Sequence, residues 1–172
     1  MRFKSIVLVL GALLMLTACE SMTKENAGAS GQGAKAAGGS SGGGVAAIVP
    51  GSIRDLVVNV GDRVFFDFDK SNIRPDQRAT LEKQAAWLKT YPQVKLMIEG
   101  HCDERGTREY NLALGERRAN SVKDFLVALG INPDRLQTIS YGKERPAAQG
   151  HNEAAWAQNR RGVSVPQGVP GS

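Results

Sequence analysis

Residues 99–120 read EGHCDERGTREYNLALGERRAN, a run that places nine Asp, Glu and Arg side chains and one His–Cys pair at a junction between two kinds of pattern. Before it, VKLMIE (residues 94–99) is a short apolar run that reads as a buried strand. Within and after it, Leu114, Val122, Phe125 and Leu129 recur at helical spacing. The spacing predicts a helix over Glu109–Leu129, closed by Gly130 with Pro133 just beyond. LQTISY (136–141) then reads as another strand. A strand, a long helix and a strand make a βαβ unit, and the charged run falls where the first strand hands over to the helix.

Working outward, VFFDFD (64–69) reads as a strand ending in a polar turn, and Pro75 suits a first helical turn. Leu81, Ala85 and Leu88 mark an apolar stripe that stops at Tyr91-Pro92. Residues 152–159 read as a helix, and 162–165 as a short last strand. The expected fold class is α/β: one βαβαβ domain with a mostly parallel or mixed sheet. The Gly- and Pro-containing end, GVSVPQGVPGS, suggests that the last strand is short or frayed.

The chain has 172 residues and 20 glycines, more than one compact domain of this size usually carries. They cluster between Gly28 and Gly51, in a Gly/Ala/Ser segment with nothing to bury, which reads as a flexible tether. Ahead of it, Arg2 and Lys4 precede an apolar run from Ile6 to Leu16. Eleven residues are too few for a bilayer span of about 20, and suit a signal peptide. Leu16-Thr17-Ala18-Cys19 resembles the bacterial lipoprotein box, in which the cysteine is acylated and becomes the first mature residue. The resulting division is a signal peptide over 1–18, a lipid-anchored linker over 19–52 and a folded domain over 53–172. Glu20, in place of the aspartate that tends to retain lipoproteins in the inner membrane, points to the outer membrane, facing the periplasm. With Cys19 acylated, Cys102 has no partner for an intrachain disulfide. The formal charge of +5 falls to +3 once Arg2 and Lys4 are removed, which is no nucleic-acid footprint.

The chemistry of the central stretch narrows by geometry. His101 and Cys102 are adjacent in extended chain, so they point to opposite faces and cannot pair as base and nucleophile. His101 and the distant His151 supply too few ligands for a metal site, and no cofactor motif is present. Asp67 and Asp69 alternate in a strand and read poorly as a glycosidase pair. Arg118, by contrast, falls on the inward stripe of its helix between Leu114 and Val122, where an unpaired charge is costly. Asn111 extends the polar part of that stripe, and Asp103 closes the preceding strand. Two readings remain open: Asp103 and Arg118 neutralise one another, or together they seat a zwitterion, with carboxylate facing ammonium and guanidinium facing carboxylate.

FDFDKSNI (66–73), the 99–120 run, SYGKERP (140–146) and NRRGV (159–163) together resemble the OmpA-like peptidoglycan-binding domain family. More narrowly, they are similar to the peptidoglycan-associated lipoproteins. The family spacing falls on Asn111, Leu114, Arg118, Ala119, Val122 and Leu126. The resemblance implies a non-enzymatic domain that binds the diaminopimelate of an uncrosslinked peptide stem. It implies Asp103 at the ammonium, Arg118 at the carboxylate, Phe68 and Asp69 lining the cleft, Arg105 approaching from the loop, and Leu114 in apolar contact. It also implies a periplasmic Tol propeller partner whose contact surface overlaps the ligand face. A domain serving mainly that partner, and a cell-wall hydrolase, are the alternatives. Cys102 stands where the family more often has alanine or threonine.

With no other segment apolar enough to hold a membrane, Cys19→Ser is expected to release a still-folded domain from membranes. Fractionation of cells that lack the Tol partner, after wall digestion, checks this; retention in membranes would remove the lipid anchor.

Overall fold

A computed structural model describes residues 47–169. The expected signal peptide, the acylated Cys19 and most of the tether lie outside these residues. The strands are β1 (Arg63–Phe65), β2 (Lys95–His101), β3 (Leu136–Gly142) and β4 (Arg161–Gln167). The helices are α1 (Ile53–Asp55), which continues into a π-helical turn over Leu56–Val60, α2 (Arg78–Thr90), α3 (Arg108–Ala128) and α4 (Glu153–Asn159).

The sheet order is β1-β4-β2-β3. β2 and β3 pair in parallel, as the βαβ unit requires, while β4 runs antiparallel to both β2 and β1. Of the two sheets expected, the mixed one is found. β4 also corrects the expectation of a frayed tail: it is a seven-residue central strand. Its alternation explains why. Gly162 lies under Val122, Phe66 and Val64, and Ser164 Oγ reaches buried Gln84 at 2.8 Å. Pro166 is tolerated because Ser164 already donates to Asp62 on the β1 side. Two residues on, the missing proline donor faces the same side, past the end of β1.

β1 is shorter than VFFDFD suggested. After Phe65 the chain leaves the sheet, with Phe66 N–H donating to the Arg160 carbonyl, and Asp69 takes a left-handed conformation with φ 56°. The cause lies in α3, where a buried side chain draws in the carbonyls of this segment. At the other end of the fold, residues before β1 proved to be structured. Asp55 accepts from Gly51 N–H and from Trp87 Nε1, tying the N-terminal turn to α2.

The core lies between α2, α3 and one sheet face, with Val64, Leu96, Ile98 and Leu136 from the strands meeting Leu81, Leu88, Val122 and Leu126 from the helices. On α3 the buried stripe runs Asn111, Leu114, Gly115, Arg118, Ala119, Val122 and Leu126, so Leu126 takes the inward place expected of Phe125. Gly130 (φ 88°) ends the helix, with Ile131 N–H returning to the Leu126 carbonyl. α3 crosses β2 at unusually close range. A Cβ on Gly100 would stand 1.7 Å from the Gly115 carbonyl oxygen, and one on Gly115 would stand 2.3 Å from Ser140 Oγ. The three atoms nearest the Gly100 position all belong to the Gly115 backbone, which cannot step aside.

Gly115→Ala should therefore reverse the usual helix preference. In place of a gain of about 1 kcal/mol, it is expected to cost about 2 kcal/mol, and Gly100→Ala about 3 kcal/mol or more. Urea denaturation of the two variants measures both signs.

Candidate functional site

The close crossing at Gly100 brings the first turns of α3 against the end of β2, and the site is built at that junction. Thr107 caps the helix through Tyr110 N–H. Asn111, buried one turn in, donates its amide to the Arg105 and Thr107 carbonyls at 2.8 and 3.0 Å. Lys143 Nζ donates to the Glu104 and Gly106 carbonyls at 3.2 and 2.7 Å. The loop that carries Asp103 and Arg105 is thus held through its backbone from two directions. Asn111, expected to line the cleft, also has this positioning role.

Arg118 is the largest fully buried side chain, 1% exposed. It is not bonded to Asp103. Its Nε donates to the Lys70 carbonyl at 2.9 Å, Nη1 to the His101 carbonyl at 2.8 Å and Nη2 to the Asp67 carbonyl at 3.1 Å. Three of five donors are met by backbone dipoles and the Cys102 thiol also lies against the guanidinium, which leaves a full positive charge. Burial pushes its pKa below the usual guanidinium range. Mutual neutralisation of Asp103 and Arg118 is therefore overturned. The guanidinium holds the 67–70 segment against the end of β2, and its charge has no carboxylate bonded to it.

Asp103 is paired elsewhere. Arg105 grips it with Nε on Oδ1 at 3.1 Å and Nη2 on Oδ2 at 2.6 Å, and adds its own backbone N–H. Arg160, buried, reaches Oδ2 at 3.3 Å and also bonds the Phe66 carbonyl and Glu153. Burial alone would raise the Asp103 pKa. The bonds from Arg105 and Arg160 outweigh it and hold the carboxyl below its ordinary range.

The seven residues expected at the ligand, Phe68, Asp69, Asp103, Arg105, Asn111, Leu114 and Arg118, all line one cavity of about 160 Å³. Cys102, Gly106 and Tyr110 line it as well. Cys102 is buried, its thiol donates to the Asn111 carbonyl at 3.3 Å, and burial pushes its pKa up. Tyr110 closes one side of the mouth by donating its hydroxyl to Asp69 across the cleft. Sequence reading missed Tyr110, Trp156 and Arg160. Tyr110, beside Asn111 in the first turn, carried a signal, and Arg160 lay within the NRRGV motif without a role; Trp156 arrives from α4 and carried none. Among the described residues no cluster of three or more His, Cys, Asp or Glu could hold a metal ion.

The comparisons agree with this architecture. The OmpA family model matches residues 65–160, more than half of the chain. A peptidoglycan-associated lipoprotein of Brucella melitensis is 57% identical over 126 residues, covering 73% of this chain and 75% of its own length. One from Pseudomonas aeruginosa is 48% identical over 114 residues, covering 66% and 67%. The crystal structure of the peptidoglycan-associated lipoprotein from Burkholderia pseudomallei superposes with a TM-score of 0.60 at 47% identity, over 62% of this chain and 90% of that one. The periplasmic domain of Helicobacter pylori MotB, 21% identical with a TM-score of 0.54 over 66% of this chain and 71% of its own, shares the fold. The chain belongs to the OmpA family and, within it, to the peptidoglycan-associated lipoproteins.

Beside the cavity, His101 is buried with Nδ1 unbonded and Nε2 3.2 Å from Glu99. Burial, with Arg161, Arg145 and Arg63 nearby, lowers its pKa from 6.5 to about 3. Unfolded, the imidazole protonates below pH 6.5; folded, it stays neutral to about pH 3. The unfolded chain binds the extra proton across that window, so stability falls as pH falls through it. By pH 4 the loss from this group is on the order of 3 kcal/mol. Melting temperature against pH should show the slope in the parent and a shallower one in His101→Gln.

Proposed function

We propose that the protein binds peptidoglycan non-covalently, taking the diaminopimelate of an uncrosslinked peptide stem into the cleft. One observation carries the reading: Arg118 is a buried guanidinium whose bonded partners are three carbonyls and no carboxylate, at a cavity that also holds Asp103. A zwitterion matches that pair of handles. Its carboxylate takes the Arg118 guanidinium, its ammonium takes Asp103, and its methylene stem lies along Leu114 and Phe68. Asn111 and Asp69 complete the cleft, with Arg105 at its mouth. The relatives are named as peptidoglycan-associated lipoproteins, which supports wall attachment here.

The same reading puts Cys19 under lipid in the outer membrane, with the domain facing the periplasm and joining membrane to wall. A periplasmic Tol protein, in a system serving envelope integrity and division, is the expected protein partner. Exposed Phe68, Tyr110 and Leu112 give the cleft rim apolar surface for such a contact. Binding proceeds without bond cleavage. Asp103 is held below the ordinary carboxyl range, so it is ionised at neutral pH and cannot serve as a general acid. Asp69 already accepts the Tyr110 hydroxyl.

Asp103→Asn keeps the shape and removes the charge facing the ammonium. It is expected to weaken binding to purified sacculi about 30-fold or more, a loss of roughly 2–5 kcal/mol. Arg118→Lys should weaken binding and also lower the melting temperature, because one ammonium cannot reach three carbonyls. Sacculus binding per folded molecule and melting temperature are measured together. Parent-like binding by folded Asp103→Asn would remove the diaminopimelate assignment, and release of muropeptides by the parent would favour a hydrolase.

A further inference from the structure

The Arg105 side chain lies between two aromatic faces. Its guanidinium carbon is 3.9 Å from the centroid of the Phe68 ring and 4.1 Å from that of Trp156, while its fork closes on Asp103. Two π faces and an ionised carboxylate are what a soft cation requires. We propose that this is the ammonium seat of the cleft, that Trp156 is one of its walls, and that Arg105 is an internal occupant which the ligand must displace. The inference rests on the reading of the cleft as a diaminopimelate site, and deepens it by assigning Trp156 and by giving Arg105 the role of competitor.

The seat stands without Arg105. Trp156 Nε1 donates to Glu104 Oε1 at 2.8 Å, and Glu104 is also bonded to His151, so the indole is oriented from its far edge. Asp103 keeps its bond from buried Arg160 when Arg105 departs. The Arg105 backbone is separately held, its carbonyl accepting from Asn111. The side chain alone can therefore swing outward while the loop stays in place, and at 32% exposure it already touches solvent.

This arrangement acts as a specificity filter. A guanidinium is more weakly hydrated than an ammonium and stacks better on rings, so a bare amine exchanges poorly with Arg105. A ligand that brings a carboxylate to Arg118 as well has the added anchor needed to win. Because only the fraction of molecules with Arg105 swung out can bind, its presence raises the apparent dissociation constant by the inverse of that fraction.

Two measurements on the full chain test this. In the first, methylguanidinium is titrated at millimolar concentration into the parent and Arg105→Ala, reading the two indole N–H resonances by NMR. The Trp156 signal should move in Arg105→Ala and stay still in the parent. The Trp87 signal, whose indole donates to Asp55, should stay still in both and reports that the fold is intact. Arg105→Gln replaces the alanine variant should the latter fail to fold. No movement of Trp156 in a folded variant overturns the seat, whatever the wall ligand is. In the second, a muramyl tripeptide stem ending in meso-diaminopimelate is titrated calorimetrically. Arg105→Ala is expected to bind it about tenfold more tightly than the parent, and a lysine-ended stem should gain by a larger factor. Weaker binding by Arg105→Ala, with binding lost in Asp103→Asn, overturns the competitor role while the diaminopimelate reading stands. Equal binding by the parent and Asp103→Asn instead overturns the diaminopimelate reading.

Discussion

A single buried guanidinium organises this end of the domain. Arg118 stands on the inward stripe of α3, where the burial of an unmet charge would cost several kcal/mol. Its cost is offset by three carbonyls, from Asp67, Lys70 and His101, that come from two separate segments. To present the first two, the chain after β1 must leave the sheet and turn, which is where Asp69 takes its left-handed conformation and Phe68 is left exposed. To present the third, β2 must end beside the helix, and the Gly100–Gly115 approach permits that. The cleft is a by-product of satisfying Arg118. A lysine, with one small head and no planar fork, could not hold two segments at once.

Around that fixed cation the other charges are arranged as a relay of partial neutralisations. Asp103 is backed by Arg160, Arg160 is shared with Glu153, and Arg105 closes the front. The result is a buried acid and a buried base within one small cavity, bonded to other partners rather than to each other. A direct Asp103–Arg118 pair would have been satisfied internally and would have left little for a ligand to gain. Holding them apart keeps both fields available, at the expense of stability that the protein recovers in the core between α2, α3 and the sheet.

The sequence by itself determined the helix–strand grammar, and its resemblance to the OmpA-like domains supplied most of the cleft residues. Helical spacing located α3 and its glycine stop; the apolar runs located β2 and β3; Arg118 betrayed itself as a charge on an apolar stripe. These are local signals, set by 3.6-residue and two-residue periodicities that need no knowledge of distant chain. Only the tertiary structure decided what those residues touch. That β4 enters the sheet between β1 and β2, antiparallel to both, depends on pairing across about a hundred residues of chain, and no local pattern encodes it. The same insertion carries Arg160 to Asp103, and the helix before it carries Trp156 to Arg105. The partners of Asp103 and Arg118 therefore could not be read from spacing. Side-chain pairing is settled by which carbonyls and carboxylates the fold leaves nearest, and that is a property of the assembled chain.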